Sequence, residues 1–466
     1  MRRLILAVVL VAATWAATTY AIGSFAERDY RAGLKTANSN PTLHFSCQSY
    51  ERSFFDAHAL TVIELAPSVT ANLDGAAAPR PRIVLEHSIK HGPLAGNTPA
   101  LATIETRLAS LHLDDQLDLT EKAPELRQIP LLTTVTLTGD SHSRLDSPPV
   151  HVEEDGLVLD WRGLSLQLDT LGERIISNLV SQGVSFQSAD GTFDFKGVEA
   201  HVDVTEALPM VMVGSTDVLF SGMTFHLNTP EDGGKAFDLQ EIHLVGESAF
   251  DGKTISLKQS VSCPGLFTAD DSYGPFGLVV EMKNLNGQKL SAFQQEVAEK
   301  FSQLAHEDDP EALMLTLLPE YSSLTAELLA DSPEFNLKKF YLKTPQGEAD
   351  AHLALRYNHP GGEVEVDLEK PELLLPNLTA KADLDIDEGL ARIFLASSCN
   401  DAVKMVEEAN GPMSDDEREA FVEQQFQSQL QMGEILGVII REGEKISSRL
   451  SYDQGALEVN GQRVPL

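Results

Sequence analysis

From Leu43 onward, apolar and polar residues alternate with a period of two, in runs broken by turns. Such runs include Leu60–Leu65, Ala102–Leu108 and Thr133–Leu137. Successive strand residues point to opposite faces, so the pattern predicts strands with one apolar and one polar side. Leu164, Leu166 and Leu168, interleaved with Ser165 and Gln167, make an unbroken apolar side and mark a candidate apolar groove. Asp155-Gly156, Asp190-Gly191, Asp251-Gly252 and Asn286-Gly287 supply the residues tight hairpins require. Residues 43–285 therefore read as meandering antiparallel sheet that buries one face. Strands resume over 324–386, with alternation in Ala349–Tyr357 and Glu363–Leu368. The chain closes on a hairpin of Ser447–Tyr452 against Ala456–Asn460.

The period becomes helical in two inserts, near 289–318 and 388–440. Leu290, Phe293, Val297, Phe301 and Leu304 fall on one stripe of an amphipathic helix, and Ser291 to Gln294 matches a capping box. Pro310 and Pro319 bracket a second short apolar helix. Further on, one helix is expected from about Glu388 to Ala409. Another starts at Ser414, where Ser414 and Glu417 form a capping box and acids fill the first turn. Val422, Phe426 and Leu430 form its apolar face, and Asn410-Gly411-Pro412 between the two predicts an αα-hairpin. Core packing accounts for both inserts. No clean linker follows residue 41. The fold class is thus mainly β with helical inserts (α+β), an elongated antiparallel structure over residues 43–466.

Ahead of it, Leu4–Gly23 carries no charge, and a helix of that length covers about the 30 Å of a bilayer's hydrocarbon core. Arg2 and Arg3 precede the run, so the positive-inside rule puts residue 1 in the cytoplasm and residue 24 onward outside. Residues 1–23 read as a signal-anchor transmembrane helix, and 24–42 as a short helix or linker. The competing reading is a cleaved signal peptide with Thr19-Tyr20-Ala21 as its small-x-small site. The apolar run continues past an ordinary signal-peptide core, which favours the anchor. Either way the β-rich part is exported.

The chain has 466 residues, 42% hydrophobic and 23% charged, enough to bury a substantial core. With 70 acidic against 35 basic residues, the net charge of −35 argues against nucleic acid as a partner and against broad adhesion to anionic headgroups. Cys47, Cys263 and Cys399 lie far apart in sequence, so no redox or zinc pair exists, and a chain this large needs no staple to fold. Gly246 to Thr254 looks like a phosphate loop, but five residues separate Gly246 from Gly252 where the motif needs four. His87 and His91 share one face of a strand about 13 Å apart, too far to hold one metal. No HExxH or GxSxG motif occurs. No catalytic residue, cofactor or metal site is assigned, and the chain is read as non-enzymatic.

Three segments resemble the YdgA-like family of bacterial envelope proteins of unknown function. Ser49–Phe55 is similar to the family's Tyr-x-Arg-Gly-x-Phe pattern, with Tyr50 and Arg52 in register and Ser53 where the pattern has Gly. Glu86–Leu94 matches its His-Gly-Pro signature at His91, Gly92 and Pro93, and Leu450–Gln462 matches its closing hairpin. The order of segments agrees. The resemblance implies a single-pass inner-membrane protein, held through residues 4–23, with its bulk in the periplasm; it supplies no mechanism. From the residues alone the motifs read as structural. Gly92 allows a turn, Pro93 blocks further pairing, and Arg52 covers apolar surface or meets an acid.

Two function classes follow. An anchored sheet with one apolar face suits binding or transfer of lipid in a β-lined groove. That arrangement is similar to AsmA-type envelope proteins, whose anchored β-grooves are associated with lipid transport. The alternative is an envelope scaffold or assembly factor acting through protein–protein contacts, with a homodimer formed through the C-terminal helices. An open apolar trough continuous with the anchor end favours the first, and an outer apolar patch the second.

Overall fold

The computed structural model describes residues 2–38, 42–65, 81–112, 118–154, 156–189, 191–227, 235–304, 321–361, 374–395, 403, 411 and 413–464. They belong to two compact units, 1–221 with 290–321 and 222–289 with 322–466, where the unbroken strand pattern predicts one structure.

The first unit opens with helix α1 (Arg2–Ala37). Strands β1 (Leu43–Arg52), β2 (Asp56–Leu65), β3 (Arg82–His91) and β4 (Ala102–His112) follow, then a short α2 (Leu119–Lys122). Next come β5 (Leu131–Val135), β6 (Ser141–Ser147), β7 (Val150–Glu154), β8 (Leu157–Trp161) and β9 (Leu164–Leu171). The last five are β10 (Arg174–Ser181), β11 (Val184–Ser188), β12 (Gly191–Phe195), β13 (Val198–Leu208) and β14 (Val211–Phe220). A main antiparallel meander runs β1-β2-β3-β4-β5-β6-β9-β10-β13-β14. A smaller sheet runs β7-β8-β11-β12.

Each strand of the small sheet continues a strand of the main one through a two-residue corner: Pro148-Pro149, Arg162-Gly163, Gln182-Gly183 and Lys196-Gly197. The corners stack. Arg162 N donates to Gly183 O at 3.0 Å, and Gln182 N to Gly163 O at 3.1 Å. A Cβ on Gly183 would fall on the Phe195 carbonyl, and one on Gly197 on the Ser181 carbonyl, with φ of +96° and +124°. Neighbouring backbones touch here, and only glycine fits.

One face of the main sheet is apolar from strand to strand. Leu166 lies opposite Leu145 and Leu179, Leu179 opposite Ala200, and Ala200 opposite Val218. Over residues 102–106, 131–135, 141–147, 164–170, 175–181, 198–204 and 214–220 this face carries no charged side chain. The reverse face carries the ions, including Arg174–Asp203 at 2.6 Å and His142–Asp169 at 2.7 Å. Leu145, Leu164, Leu166, Leu168 and Leu179 are half-buried, while Arg144, Gln167, Asn178 and Glu199 behind them are exposed. A flat single layer would wet both faces alike. The difference arises because the small sheet bends over the apolar side. Its own apolar residues, Val150, Val152, Leu159, Trp161, Val184, Phe186, Phe193 and Phe195, stand in register on one face. The two faces meet where Trp161 Nε1 donates to Ser147 Oγ at 2.8 Å and where the Phe195 and Phe220 rings lie 5.2 Å apart. They form two walls of a trough.

The second unit repeats the plan. Its strands are β15 (Met223–Leu227), β16 (Lys235–Leu239), β17 (Ile242–Phe250), β18 (Thr254–Cys263), β19 (Leu266–Thr268), β20 (Ser272–Tyr273) and β21 (Phe276–Asn286). Helix α3 (Gly287–Leu304) begins here, its residues from Leu290 on belonging to the first unit, and β22 (Glu334–Thr344), β23 (Gly347–Tyr357) and β24 (Leu378–Asp387) continue the second. Helix α4 (Asp415–Ile435) precedes β25 (Ile440–Glu442), β26 (Lys445–Asp453), β27 (Ala456–Val459) and β28 (Gln462–Val464). Here α4 covers the apolar face. Phe426 and Leu430 are buried with Ala349, Ile386, Leu390, Ala391 and Ile446. The capping box at Ser414 and Glu417 is present.

Several expectations are corrected. The stretch 24–37, read as a short helix or linker, continues α1 without a break. Residues 324–329, expected as strand, are helical together with 321–323, with Tyr321, Leu324 and Leu328 at helical spacing. Ser291 does not cap α3, which begins at Gly287 with Asn286 Oδ1 accepting from Lys289 N at 3.1 Å; Ser291 Oγ instead donates to the Pro209 carbonyl at 2.7 Å. Cys47 and Cys263 are free thiols. The helix between Pro310 and Pro319, the strand Glu363–Leu368, Cys399 and most of the helix expected over 388–409 beyond Leu395 lie outside the described residues. Among the described residues no helix is long and apolar enough to cross a membrane; the side chains of residues 1–14 and 16 lie outside them.

Gly183→Ala should destabilise the first unit by at least about 2 kcal/mol, from the left-handed backbone and the overlap with Phe195. Gly33→Ala, on an open face of α1, should be neutral or slightly stabilising. Urea unfolding of the two variants checks this; equal midpoints would contradict it.

Candidate functional site

The apolar face that floors the trough continues to the N-terminal strands. Ile89 lies opposite Ala57 and Ile104, and Ile104 opposite Thr133. Because strand residues alternate, Tyr50, Arg52, Thr61, His87 and His91 stand on this same face. The motif residues thus converge, and what they converge on is α1.

The close approach is made by small residues. A Cβ on Gly23 would fall on the His91 ring, and one on Gly92 would lie 3.2 Å from Thr19 Cγ2. Thr19 is 1% exposed and His91 3%. Arg52 both covers apolar surface and meets polar groups. Its guanidinium stacks 5.0 Å from the Tyr20 centroid, donates to Ser24 Oγ at 2.7 Å and lies 4.0 Å from Glu27. Tyr50 packs on Tyr30, ring centroids 5.3 Å apart, and beneath the Arg31 guanidinium. A chain of hydroxyls and imidazole then crosses the sheet. Tyr30 Oη lies 2.7 Å from Thr61 Oγ1, Thr61 Oγ1 2.7 Å from His87 Nε2, and His87 Nδ1 2.8 Å from Thr106 Oγ1. At the far end, Asn38 donates to and accepts from the Phe45 backbone at 2.8 and 2.7 Å. Pro93 is half-buried in the bend after His91, where Gly92 N donates to Leu101 O at 3.0 Å.

This arrangement grips a helix. Burial pushes the pKa of His87 and of His91 down and raises those of the Tyr30 and Tyr50 phenols. Among the described residues neither ring nitrogen of His91 nor the Tyr50 hydroxyl makes a hydrogen bond of ordinary geometry. Each bare buried polar group costs about 1–3 kcal/mol, so packing against α1 must outweigh that cost. Among the described residues no group of three or more His, Cys, Asp or Glu converges as metal ligands would. Leu164, Leu166 and Leu168 lie on the same face but on β9, in the trough floor and apart from the α1 seat. Thr19, Gly23, Tyr30, Thr61 and Thr106 were not legible as site residues. The one signal was Thr19 and Gly23, small residues one helical turn apart inside an apolar run.

A family model described as a bacterial protein of unknown function (DUF945) matches residues 1–466. The chain belongs to the DUF945 family. This DUF945 chain is 21% identical over 459 residues to protein YdgA of Escherichia coli (strain K12), which covers 93% of this chain and 87% of that protein. No solved structure matches it. The YdgA-like family is therefore shown, and in this DUF945 member the segments Ser49–Phe55 and Glu86–Leu94 form the α1 seat.

Two outcomes follow from the geometry. His87 and His91 resist protonation in the folded state, so below the ordinary histidine pKa of 6.5 the unfolded chain binds more protons. Stability should fall as pH drops through 6.5 and level off below the depressed folded values, and His91→Leu should flatten that dependence. Unfolding midpoints between pH 7.5 and about 5 read both effects; an unchanged slope in the variant would contradict the assignment. Gly23→Val should loosen α1 by about 2 kcal/mol and raise amide exchange over residues 19–31. Unaltered exchange there would mean that the close contact is not what holds the helix.

Proposed function

We propose that this protein is a non-enzymatic, membrane-tethered binding module for lipid acyl chains, carried in the trough of the first unit. In this reading α1 is its inner-membrane anchor and the sheets stand in the periplasm. One observation carries the proposal. In a chain with 70 acidic and 35 basic residues, the trough floor has no charge across seven strands. An apolar surface of that extent is normally buried in a core or reserved for a ligand. Each methylene that enters contributes about 0.8 kcal/mol, so roughly ten of them supply about 8 kcal/mol against the ordering costs of binding. The floor also shares its face with the α1 seat, which gives a lipid a continuous path from the helix to β14.

The second reading, contact with another protein or a second copy, draws on Met432, Ile435, Leu436, Val438 and Ile440 at the end of α4, all exposed. That patch is local, whereas the trough floor crosses seven strands.

The test uses the full chain in nanodiscs that contain phosphatidylcholine with a photoreactive group in its acyl chain. Adducts should map to β9, β10 and β13 as well as to α1. Leu166→Glu should cut the strand adducts by more than about tenfold, because a buried unpaired carboxylate opposes the acyl chain, and should leave those on α1 unchanged. Adducts confined to α1 would overturn the proposal.

A further inference from the structure

The contacts of α1 have a direction. Thr19 meets Gly92, Gly23 meets His91, Ser24 meets Arg52, Tyr30 meets Thr61, and Asn38 meets Phe45. Arg52 ends β1 and His91 ends β3, whereas Phe45 stands near the start of β1. The helix therefore enters its seat at the β1–β2 and β3–β4 hairpin tips. It is continuous from Arg2, so about 25 Å of helix precedes Thr19 at 1.5 Å per residue. That stretch is charge-free from Leu4, and its length is close to the roughly 30 Å of a hydrocarbon core.

The same edge of the sheet carries five hairpin turns of the main meander. Val135, Ser141, Thr170, Ile175, Val204 and Gly214 are successive partners of the row that starts at His91 and Ala102. Hence the β1–β2, β3–β4, β5–β6, β9–β10 and β13–β14 turns line one edge. Each turn exposes a large apolar side chain: Phe54 and Phe55, Leu94, Leu137, Leu171, and Met210. Phe55 is 58% exposed and Leu137 56%. The first tip is held in place, for the Phe55 carbonyl accepts from His91 N at 3.0 Å and the Phe54 and Phe55 rings meet at 4.7 Å. Tips bounded by turns normally carry small or polar residues.

We propose that this row of hairpin tips rests in the interfacial layer of a lipid bilayer, so that the main sheet of the first unit stands on the membrane along its whole tip edge. The occupant is a lipid surface and not a protein because the apolar tips and the emergent helix share one edge, and the run Leu4–Gly23 in that helix carries no charge. Aromatic and large apolar side chains are stable at that depth, each gaining about 1.5–3 kcal/mol on full burial. The tip segments 92–101 and 136–139 carry no charge and the chain as a whole is strongly acidic, so the surface recognised is zwitterionic or neutral and needs no anionic lipid. The proposal shares with the lipid-trough reading only the placement of α1 in the bilayer. It adds that the trough opens at headgroup level.

The test places an environment-sensitive fluorophore on Phe55→Cys, Leu137→Cys or Met210→Cys in the full chain with Cys47, Cys263 and Cys399 replaced by Ser. Leu157→Cys, in the turn of the small sheet, is the reference. In phosphatidylcholine nanodiscs the three tip labels should be quenched by lipids bearing a shallow spin label, and shielded from aqueous iodide by about threefold relative to Leu157. Tip labels as open to iodide as the reference overturn the proposal. So does shielding of Phe55 alone, since that follows from the neighbouring helix. Hydrogen exchange of the unaltered chain gives an independent reading: residues 136–140 and Met210 should exchange more slowly in nanodiscs than in detergent, and equal rates count against it. Acyl-chain adducts in the trough are read separately, so either idea can fail without the other.

Discussion

Where strands pass from the main sheet to the small one, the backbones of neighbours come so close that no side chain can stand between them. Gly183 against the Phe195 carbonyl and Gly197 against the Ser181 carbonyl are the tightest points. Everything about the trough depends on that approach. It turns the small sheet over the apolar face, so that Trp161 and Phe195 reach Ser147 and Phe220. It also explains why one sheet face is drier than the other. In the second unit the same kind of corner recurs at Gly222, whose Cβ would meet the Leu239 carbonyl at 2.5 Å, and there α4 packs on the apolar face.

The α1 seat is the complementary case, in which burial is made tight at an electrostatic cost. His91 and Tyr50 keep polar atoms without hydrogen bonds of ordinary geometry beneath the helix. Arg52 escapes that penalty because its guanidinium is shared among the Tyr20 ring, Ser24 and Glu27. A position that combines small residues, a neutral buried imidazole and a shared guanidinium tolerates few substitutions. That is a physical reason for a short motif at both Tyr50–Arg52 and His91–Pro93.

Much of this architecture was legible as a sequence. Period-two runs located most strands, the Asp-Gly turns located hairpins, and Ser414 with Glu417 located α4. Leu166 reads as half of an apolar side and is one. The corners were not legible, because Gly163, Gly183 and Gly197 look like ordinary ends of strands; a strand that stops and a strand that bends have the same local pattern. The seat was hidden for another reason. Its members come from α1, β1, β2, β3 and β4, and only pairing register brings them onto one face. Residues 324–329 were misread because Leu324, Leu328 and Leu329 satisfy strand and helix spacing almost equally well over so short a run.

The meander has one more consequence, for how the first unit holds together in time. Apart from the excursions through the small sheet, each strand pairs only with the strands before and after it in sequence. Loop closures are short and no distant segment must return to complete a layer, so assembly proceeds by addition of neighbours, as in a repeat array. Cohesion is then graded along the sheet. The first strands gain a second source of cohesion, for α1 clasps β1 to β3 from their apolar face and ties their fate to its own.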